Sequence, residues 1–173
     1  MSWLLDVNFL LASRWTTHVD HEQVRCWLDS QEEFHTTPIV ELGFLRVSLS
    51  PGYAASWEDA HQSLVSLQAR PSHSFLPDDV MATDSPETRH KDTTDAHLVS
   101  LAARHHLKLA TLDMALVSKP WAAGVVFNPL HILRVLDQGS SDYTTTRQTQ
   151  PHEGSVEKLC EEIRAYEAAS PKP

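Results

Sequence analysis

Short apolar runs that end on a carboxylate alternate along the chain with segments of helical periodicity. Trp3-Leu4-Leu5 ends at Asp6, and the run from Leu107 to Leu112 ends at Asp113. Runs this short and apolar are typical of central strands in a parallel sheet, which is covered on both faces. The first run is followed by helical apolar spacing over residues 7–15. The pattern therefore predicts an α/β fold in which polar groups gather where strands end.

Apolar spacing and cap signals predict the remaining elements. Helices are expected at residues 20–29, 38–49, 56–68 and 95–106, with a short helical turn at 114–118. Further strands are expected at residues 33–36, 73–77 and 124–129. Thr93 or Thr94 is expected to cap the helix that opens at Asp95, and the spacing places Leu42, Trp57 and His105 on inward faces.

The alternation of strands and helices predicts a three-layer sandwich around a central, mainly parallel sheet. Residues 139–150 are rich in Ser, Thr and Gln without apolar periodicity, which is typical of a linker. A narrow apolar stripe after Ser155 predicts a further helix. We therefore expect one compact α/β domain at residues 1–130, followed at 131–173 by a linker and a C-terminal helical extension.

Composition places the chain among compact intracellular proteins. It has 173 residues, 41% of them hydrophobic, which is enough for one domain and an appendage. No run approaches the roughly 20 apolar residues of a membrane-spanning helix, and the N-terminus lacks the pattern of a signal peptide. Cys26 and Cys160 lack metal-ligand spacing and fit packing roles in a reducing compartment. We expect a cytoplasmic protein with no membrane association.

The formal net charge of -9 argues against non-specific binding of duplex nucleic acid by the whole surface. A local nucleic-acid groove remains compatible with it. The negative sign is also the one expected if several acids converge on a cation.

Four acids are candidates to meet at one edge of the sheet: Asp6, Glu41, Asp95 and Asp113. Glu41 lies among apolar residues on a predicted helix, so it must face solvent, an arginine such as Arg46, or a metal. Four like charges in one pocket cannot all stay ionised without a compensating cation. Ligands that are all oxygen favour Mg²⁺ or Mn²⁺. Such an ion can clamp a phosphodiester and activate water, so RNA or DNA hydrolysis is the predicted reaction class.

Three basic residues are weaker candidates for substrate binding. Arg46 follows Glu41 by five residues, and either pairing with a pocket acid, which we favour, or contact with phosphate would suit it. Arg89 and Lys91 lie in the polar loop before the Asp95 helix. A solvated basic turn is the default interpretation of that loop, although a phosphate contact would be useful there.

Four motifs resemble, in order and spacing, those of the PIN-domain nucleases, and most closely the VapC-type toxins of toxin–antitoxin pairs. They are Leu4-Leu5-Asp6-Val7-Asn8, Glu41-Leu42-Gly43-Phe44-Leu45-Arg46-Val47, Thr94-Asp95-Ala96-His97-Leu98 and Leu109-Ala110-Thr111-Leu112-Asp113. The resemblance covers about Met1 to Leu130, and the block from Asp95 to Asp113 is its most specific part.

The resemblance implies a PIN-like fold and a Mg²⁺- or Mn²⁺-dependent endoribonuclease. It also implies the toxin of a type II pair, usually a homodimer, which acts on RNA and is held inactive by a small antitoxin. Carried over by position, the catalytic and metal-holding quartet is Asp6, Glu41, Asp95 and Asp113. Asn8 and Thr111 would be supporting polar groups.

Two alternatives stay open. A haloacid-dehalogenase-like phosphatase also places an aspartate after its first strand, but it needs a second acid where this chain has Asn8. Such a phosphatase also needs paired late acids, whereas Asp113 is followed by Met114-Ala115-Leu116-Val117. The other alternative is a catalytically silent PIN-fold binding module, against which the presence of all four acids argues.

Overall fold

A sheet of parallel strands forms the centre of the molecule, and helices flank it. The computed structural model describes residues 2–87 and 89–131. The strands are β1 (Trp3–Leu5), β2 (Phe34–Thr36), β3 (His73–Phe75), β4 (Lys108–Ala110) and β5 (Val126–Phe127). The helices are α1 (Val7–Arg14), α2 (His21–Ser30), α3 (Pro38–Ser48), α4 (Trp57–Gln68), α5 (Thr93–Arg104) and α6 (Met114–Val117). The predicted α/β sandwich with a parallel sheet is confirmed.

The order of the strands makes β1 the centre of the sheet. The order is β3-β2-β1-β4-β5, and every pairing is parallel. Leu4 pairs with His35 on one side and with Leu109 on the other. The chain first builds outward from β1 through β2 to β3 and then returns to place β4 on the opposite side. The strand order therefore reverses between β1 and β4, which is where ligands bind in open α/β sheets.

The core surrounds the central strand on both faces. Leu4 and Leu5 have no exposed surface. The Trp27 ring on α2 meets those of Trp3 and Phe9 edge to face, at centroid distances of 5.0 and 5.1 Å. Edge-to-face packing suits the charge distribution of aromatic rings, so these contacts fix α1 and α2 against β1.

Two strands are shorter at both ends than predicted. β4 occupies residues 108–110, not 107–112, and β5 occupies 126–127, not 124–129. Asp6 and Asp113 follow β1 and β4, as predicted, and are the N-caps of α1 and α6.

Three inward placements were wrong. Leu42 is 66% exposed and Trp57 is 56% exposed, because α3 and α4 bury narrower faces than their apolar spacing suggests. His105 lies beyond the end of α5 and pairs with Asp79 at 2.9 Å. The cap of α5 also differs, since the helix begins at Thr93 and its N-cap residue is Asp92, whose side chain makes no capping hydrogen bond.

Cys26 is 7% exposed and lies in the hydrophobic core, which agrees with the packing role expected of it. The linker predicted at residues 139–150 and the helix after Ser155 lie outside the described residues, and the boundary at residue 130 stays a prediction. None of the helices in the described ranges is long and apolar enough to cross a bilayer.

Candidate active site

Asp6 lies at the centre of the carboxyl edge of the sheet. Its backbone N–H donates to the carbonyl of Ala110 at 3.0 Å, which holds it against the end of β4. Its side chain is almost fully buried, with the whole residue 6% exposed. Oδ1 accepts the N–H of Val7 at 2.6 Å, and Oδ2 accepts the hydroxyl of Thr111 at 2.7 Å. Burial raises the pKa of Asp6, the two hydrogen bonds oppose that rise, and the nearby charge of Asp113 adds to it.

Thr111 joins two of the predicted acids. Its buried hydroxyl donates to Asp6 and accepts the backbone N–H of Asp113 at 3.1 Å. Asp113 itself uses Oδ1 to accept the N–H groups of Ala115 and Leu116, at 2.7 and 3.2 Å, as the N-cap of α6. Capping thus leaves its Oδ2 without a hydrogen bond from the described part of the chain. The structure therefore brings Asp6, Thr111 and Asp113 together, as their positions in the motifs predicted.

Asp95 completes a group of three electrostatically coupled aspartates. It lies half-buried in the first turn of α5. Its pKa is raised from 3.8 to about 6, chiefly by burial and then by the charges of Asp6 and Asp113, with a further contribution from Asp92. Negatively charged neighbours make the ionisation of a carboxyl group unfavourable, and a bound cation would offset that cost.

A cationic side chain that the motifs did not indicate lies beside this group. Lys119, which follows α6, forms an ion pair with Asp92 at 2.9 Å. Both side chains are mostly buried, at 20% and 13% exposed. The charge of Lys119 also lowers the pKa of Asp95, though by less than the acids raise it. The pair ties the N-terminus of α5 to the segment after Asp113, and its long sequence separation left no signal by which to predict it.

Glu41 lies in the first turn of α3 and contacts a different set of residues. Its Oε1 accepts the hydroxyl of Thr36 at 2.6 Å and the side-chain N–H of Gln68 at 3.0 Å. Its charge also acts on His73. Glu41 is therefore held on the β2–β3 side of the edge, while Asp113 lies on the β4 side. The causes of the raised pKa values of Asp6 and Asp95 do not include Glu41.

The other predicted site residues lie at the surface. Asn8 is exposed on α1, and Arg46 is exposed on α3. The pairing of Arg46 with a pocket acid is not seen, since its guanidinium forms no ion pair within residues 2–87 and 89–131. Arg89 pairs with Glu87 at 2.8 Å and with Asp92 at 2.9 Å. Lys91 is exposed, and its charge contributes to the lowered pKa of Asp92.

The carboxylate ligands of the site are of the type that binds a hard divalent cation, although they do not form a complete coordination shell in the described residues. Asp6, Asp95 and Asp113 offer carboxylate oxygens alone, which Mg²⁺ and Mn²⁺ prefer. Their mutual repulsion is of the sign that such an ion would relieve. Within the described ranges, no three His, Cys, Asp or Glu side chains are close enough to form a ready-made metal site. These aspartates could therefore hold an ion together with water or substrate oxygens, as Mg²⁺ sites commonly do.

Comparison with known proteins places this arrangement in a family context. The family model described as "PIN domain" matches residues 3–120, a stretch that contains Asp6, Glu41, Asp95 and Asp113.

Three curated relatives are similar to this chain over most of their own length. Ribonuclease VapC38 of Mycobacterium tuberculosis is 39% identical over 118 residues, which is 64% of this chain and 84% of the relative. Ribonuclease VapC39 of the same organism is 36% identical over 137 residues, or 73% of this chain and 98% of the relative. Ribonuclease VapC44, also from that organism, is 36% identical over 136 residues, or 70% of this chain and 94% of the relative.

Proposed function

This chain belongs to the PIN domain family, and from that premise we propose that it is a Mg²⁺- or Mn²⁺-dependent endoribonuclease that hydrolyses RNA phosphodiester bonds. The observation that carries the proposal is the coupling of Asp6, Asp95 and Asp113 at the point where the strand order reverses. The relatives, which are named ribonucleases, match this chain over most of their own length and support the choice of RNA.

The chain's own residues would divide the work between holding an ion and orienting its ligands. Asp6, Asp95 and Asp113 would hold the ion, with Glu41 as the fourth acid of the site. Thr111 donates to Oδ2 of Asp6 and so would hold this carboxylate in a fixed orientation relative to the other acids. When bound, Mg²⁺ or Mn²⁺ would stabilise the charge that develops on the phosphate and lower the pKa of the attacking water. Near pH 7 the raised pKa of Asp95 still leaves most of this group ionised and able to act as a ligand.

Basic and polar side chains around the edge would contact the RNA backbone. The exposed Arg46 and Lys91 are the proposed phosphate contacts, because their charges face solvent. Arg89 would have to exchange its ion pairs with Glu87 and Asp92 for a phosphate, so its contribution should be smaller. Asn8, exposed two residues after Asp6, is proposed as a supporting polar group.

We further propose that the protein is the toxin of a type II toxin–antitoxin pair. In that role it would act in the cytoplasm, form a homodimer and be held inactive by a small antitoxin. Leu42 on α3 and Leu49, the C-cap residue of that helix, lie seven residues apart and are 66% and 42% exposed. Neighbouring exposed leucines on one helix face suit a contact with another protein chain.

Cleavage of single-stranded RNA tests the enzymatic proposal. We expect the parent protein to cut RNA with Mn²⁺ or Mg²⁺ and to lose that activity in EDTA. Asp95→Asn and Asp113→Asn should each lower kcat/KM by about 100-fold or more, since loss of a group that merely orients a metal ligand already costs roughly 10–100-fold. Glu58→Gln, which removes an exposed carboxylate from the first turn of α4, is the matched control and should retain parental activity.

Three results would contradict the proposal. Equal cleavage with and without EDTA would remove the metal from the mechanism. Phosphatase turnover without RNA cutting would favour the haloacid-dehalogenase-like alternative. RNA binding without any cleavage by the parent would favour the silent binding module.

A further inference from the structure

The hydrogen bonds around Glu41 form a chain that crosses from α3 to β3. The hydroxyl of Thr36 lies between two partners, with Glu41 Oε1 at 2.6 Å and His73 Nε2 at 2.7 Å. Gln68 adds a second donor to the same carboxylate oxygen at 3.0 Å. Thr36 ends β2, His73 begins β3 and Gln68 ends α4. Residues of three separate elements are therefore linked to Glu41, with His73 linked through Thr36.

The donor and acceptor roles in this chain follow from the groups themselves. An ionised carboxylate only accepts, so the single hydroxyl hydrogen of Thr36 is donated to Glu41. The Thr36 oxygen can then only accept from His73, so Nε2 of that imidazole carries a hydrogen. Each member has one role, and a rotation of any side chain would break at least one bond.

Burial makes these bonds costly to lose. Thr36 has no exposed surface, and an unmatched buried hydroxyl is strongly unfavourable. Burial also lowers the pKa of His73, even though the charge of Glu41 acts in the opposite direction.

The two oxygens of Glu41 are left in different states. Oε1 accepts two hydrogen bonds, while none of the hydrogen bonds within residues 2–87 and 89–131 reaches Oε2. Two donors on one oxygen fix the rotation of the carboxylate. They leave the second oxygen as the one available to an ion or to substrate-bound water.

We propose that Thr36, His73 and Gln68 are positioning residues that set the orientation of Glu41 and leave its Oε2 to act in the active site. This inference rests on the proposed nuclease function and deepens it, because the motif for Glu41 names only the acid itself. The positioning residues lie on the β2–β3 side of the sheet, whereas Asp113 follows β4, so the proposed site uses residues from both sides of the central strand β1.

A purely structural role for the same bonds is the competing explanation, and one pair of variants separates the two. Thr36→Val removes the hydroxyl at nearly constant volume, and Thr36→Ser keeps it. Thr37→Val is the matched control, since Thr37 is equally buried and its hydroxyl has no hydrogen-bond partner among the described residues. Gln68→Ala, at an exposed helix end, tests the second donor with little risk to folding.

The measurements are Mn²⁺ affinity without RNA, kcat and KM for single-stranded RNA, and the free energy of unfolding in EDTA. We expect Thr36→Val to weaken Mn²⁺ binding and lower kcat, each by about 10-fold or more, with KM changed by less than about twofold. Thr36→Ser and Thr37→Val should stay close to the parent in all three measurements. Gln68→Ala should shift Mn²⁺ affinity and kcat in the same direction as Thr36→Val, by a smaller factor.

Parental Mn²⁺ affinity and kcat in both Thr36→Val and Gln68→Ala would overturn the positioning role, and so would equal losses in Thr36→Val and Thr37→Val. If Thr36→Val does not fold, Gln68→Ala decides alone, because parental values there would reject the proposal. A parent protein that neither binds Mn²⁺ nor cuts RNA would instead reject the nuclease function, so the two failures are distinguishable.

Discussion

At the scale of single residues, Asp6 and Asp95 show how burial, neighbouring charges and hydrogen bonds together set the pKa of a carboxyl group. Asp6 is buried and Asp95 is half-buried, and nearby charges add to both pKa values: that of Asp113 for Asp6, and those of Asp6 and Asp113 for Asp95. Asp6 receives hydrogen bonds from Thr111 and Val7, which favour its charged form. No hydrogen bond within the described ranges reaches the side chain of Asp95. Burial, followed by the charges of Asp6 and Asp113, raises the pKa of Asp95 to about 6, so its ionisation, like that of Asp6, costs the apoprotein stability.

Asp95→Asn should stabilise the metal-free protein at neutral pH. The folded-state pKa lies above the unfolded value, so the parent loses stability as pH rises from about 4 to about 6, and the full loss remains above that range. A shift from 3.8 to about 6 sets an upper limit of about 3 kcal/mol, and solvent screening of a half-exposed group reduces this to the order of 1 kcal/mol. Urea unfolding in EDTA, near neutral pH and at about pH 4, measures the difference.

The matched control for that prediction is Asp92, three residues earlier. Lys119 lowers the pKa of Asp92, so Asp92→Asn should destabilise the protein at neutral pH, with the effect fading as pH falls below the usual range for aspartate. The same sign of effect for both variants would show that charge coupling does not explain either of them.

At the scale of elements, one close contact between helices fixes two of the site-bearing segments. A Cβ atom at Gly43 on α3 would lie 2.6 Å from Cγ2 and 3.2 Å from Cγ1 of Val7, the first residue of α1. Val7 directly follows Asp6, and Gly43 lies two residues after Glu41. The absence of a side chain at residue 43 therefore allows α1 and α3 to approach closely, and it affects the positions of the two acids next to this contact.

Gly43→Ala should destabilise the protein although alanine favours helices. The gain in helix propensity is about 1 kcal/mol, whereas forcing a methyl group against a stiff, branched valine costs about 1–3 kcal/mol. We expect a net loss of about 1 kcal/mol in the free energy of unfolding, with a parallel fall in RNA cleavage because Val7 must move. Urea unfolding at neutral pH provides the measurement.

A double-mutant cycle identifies the cause of that loss. Val7→Ala combined with Gly43→Ala should recover most of the penalty, with a coupling energy of about 1 kcal/mol. Gly52→Ala is the control, because the nearest atom to its added Cβ is 3.9 Å away, so it should be neutral or slightly stabilising. Additive effects of the substitutions at Val7 and Gly43 would mean that the clash is not the source.

At the scale of the whole molecule, the formal net charge of -9 and the coupled aspartates make a cation the natural stabilising ligand. Mn²⁺ at about 100 times its dissociation constant should stabilise the folded state by about 2.7 kcal/mol. For a protein of this size the melting temperature should rise by roughly 5–10 °C. Differential scanning calorimetry with and without Mn²⁺ measures this shift.

Asp113→Asn and matched ionic strength separate site binding from general screening. The variant should lose most of the Mn²⁺-induced shift, and sodium chloride at equal ionic strength should not reproduce it in the parent. An equal shift in parent and variant would place the ion elsewhere on this acidic protein.

Much of the fold and part of the candidate site could be predicted because they depend on local chemistry. Short segments of strand-like pattern, three of them apolar runs, located the five described strands to within about two residues at each end. Cap geometry explains why Asp6 and Asp113 each start a helix, since their side chains accept N–H groups from the residues that follow them directly. The catalytic roles of the four acids stay predictions.

The wrong predictions of which side chains face inward arose because a local sequence pattern does not report long-range packing. Helical spacing placed Leu42 inward because it reports which residues share a face, but not how much of that face a neighbouring helix covers. The ion pair between Asp92 and Lys119 joins segments that strand order alone brings together.

The amino-acid sequence by itself determined the elements, the parallel α/β class and the four acids in their order, because periodicity and capping act over a few residues. The tertiary structure decided that Asp95 shares the field of Asp6 and Asp113, while Glu41 is held by Thr36 and Gln68. Apart from Thr36, which lies close to Glu41 in the sequence, these partners lie far apart along the chain. The placement of β1 between β2 and β4 sets which side chains meet at the edge of the sheet. Their protonation and hydrogen bonding depend on that neighbourhood, which no local run of residues encodes.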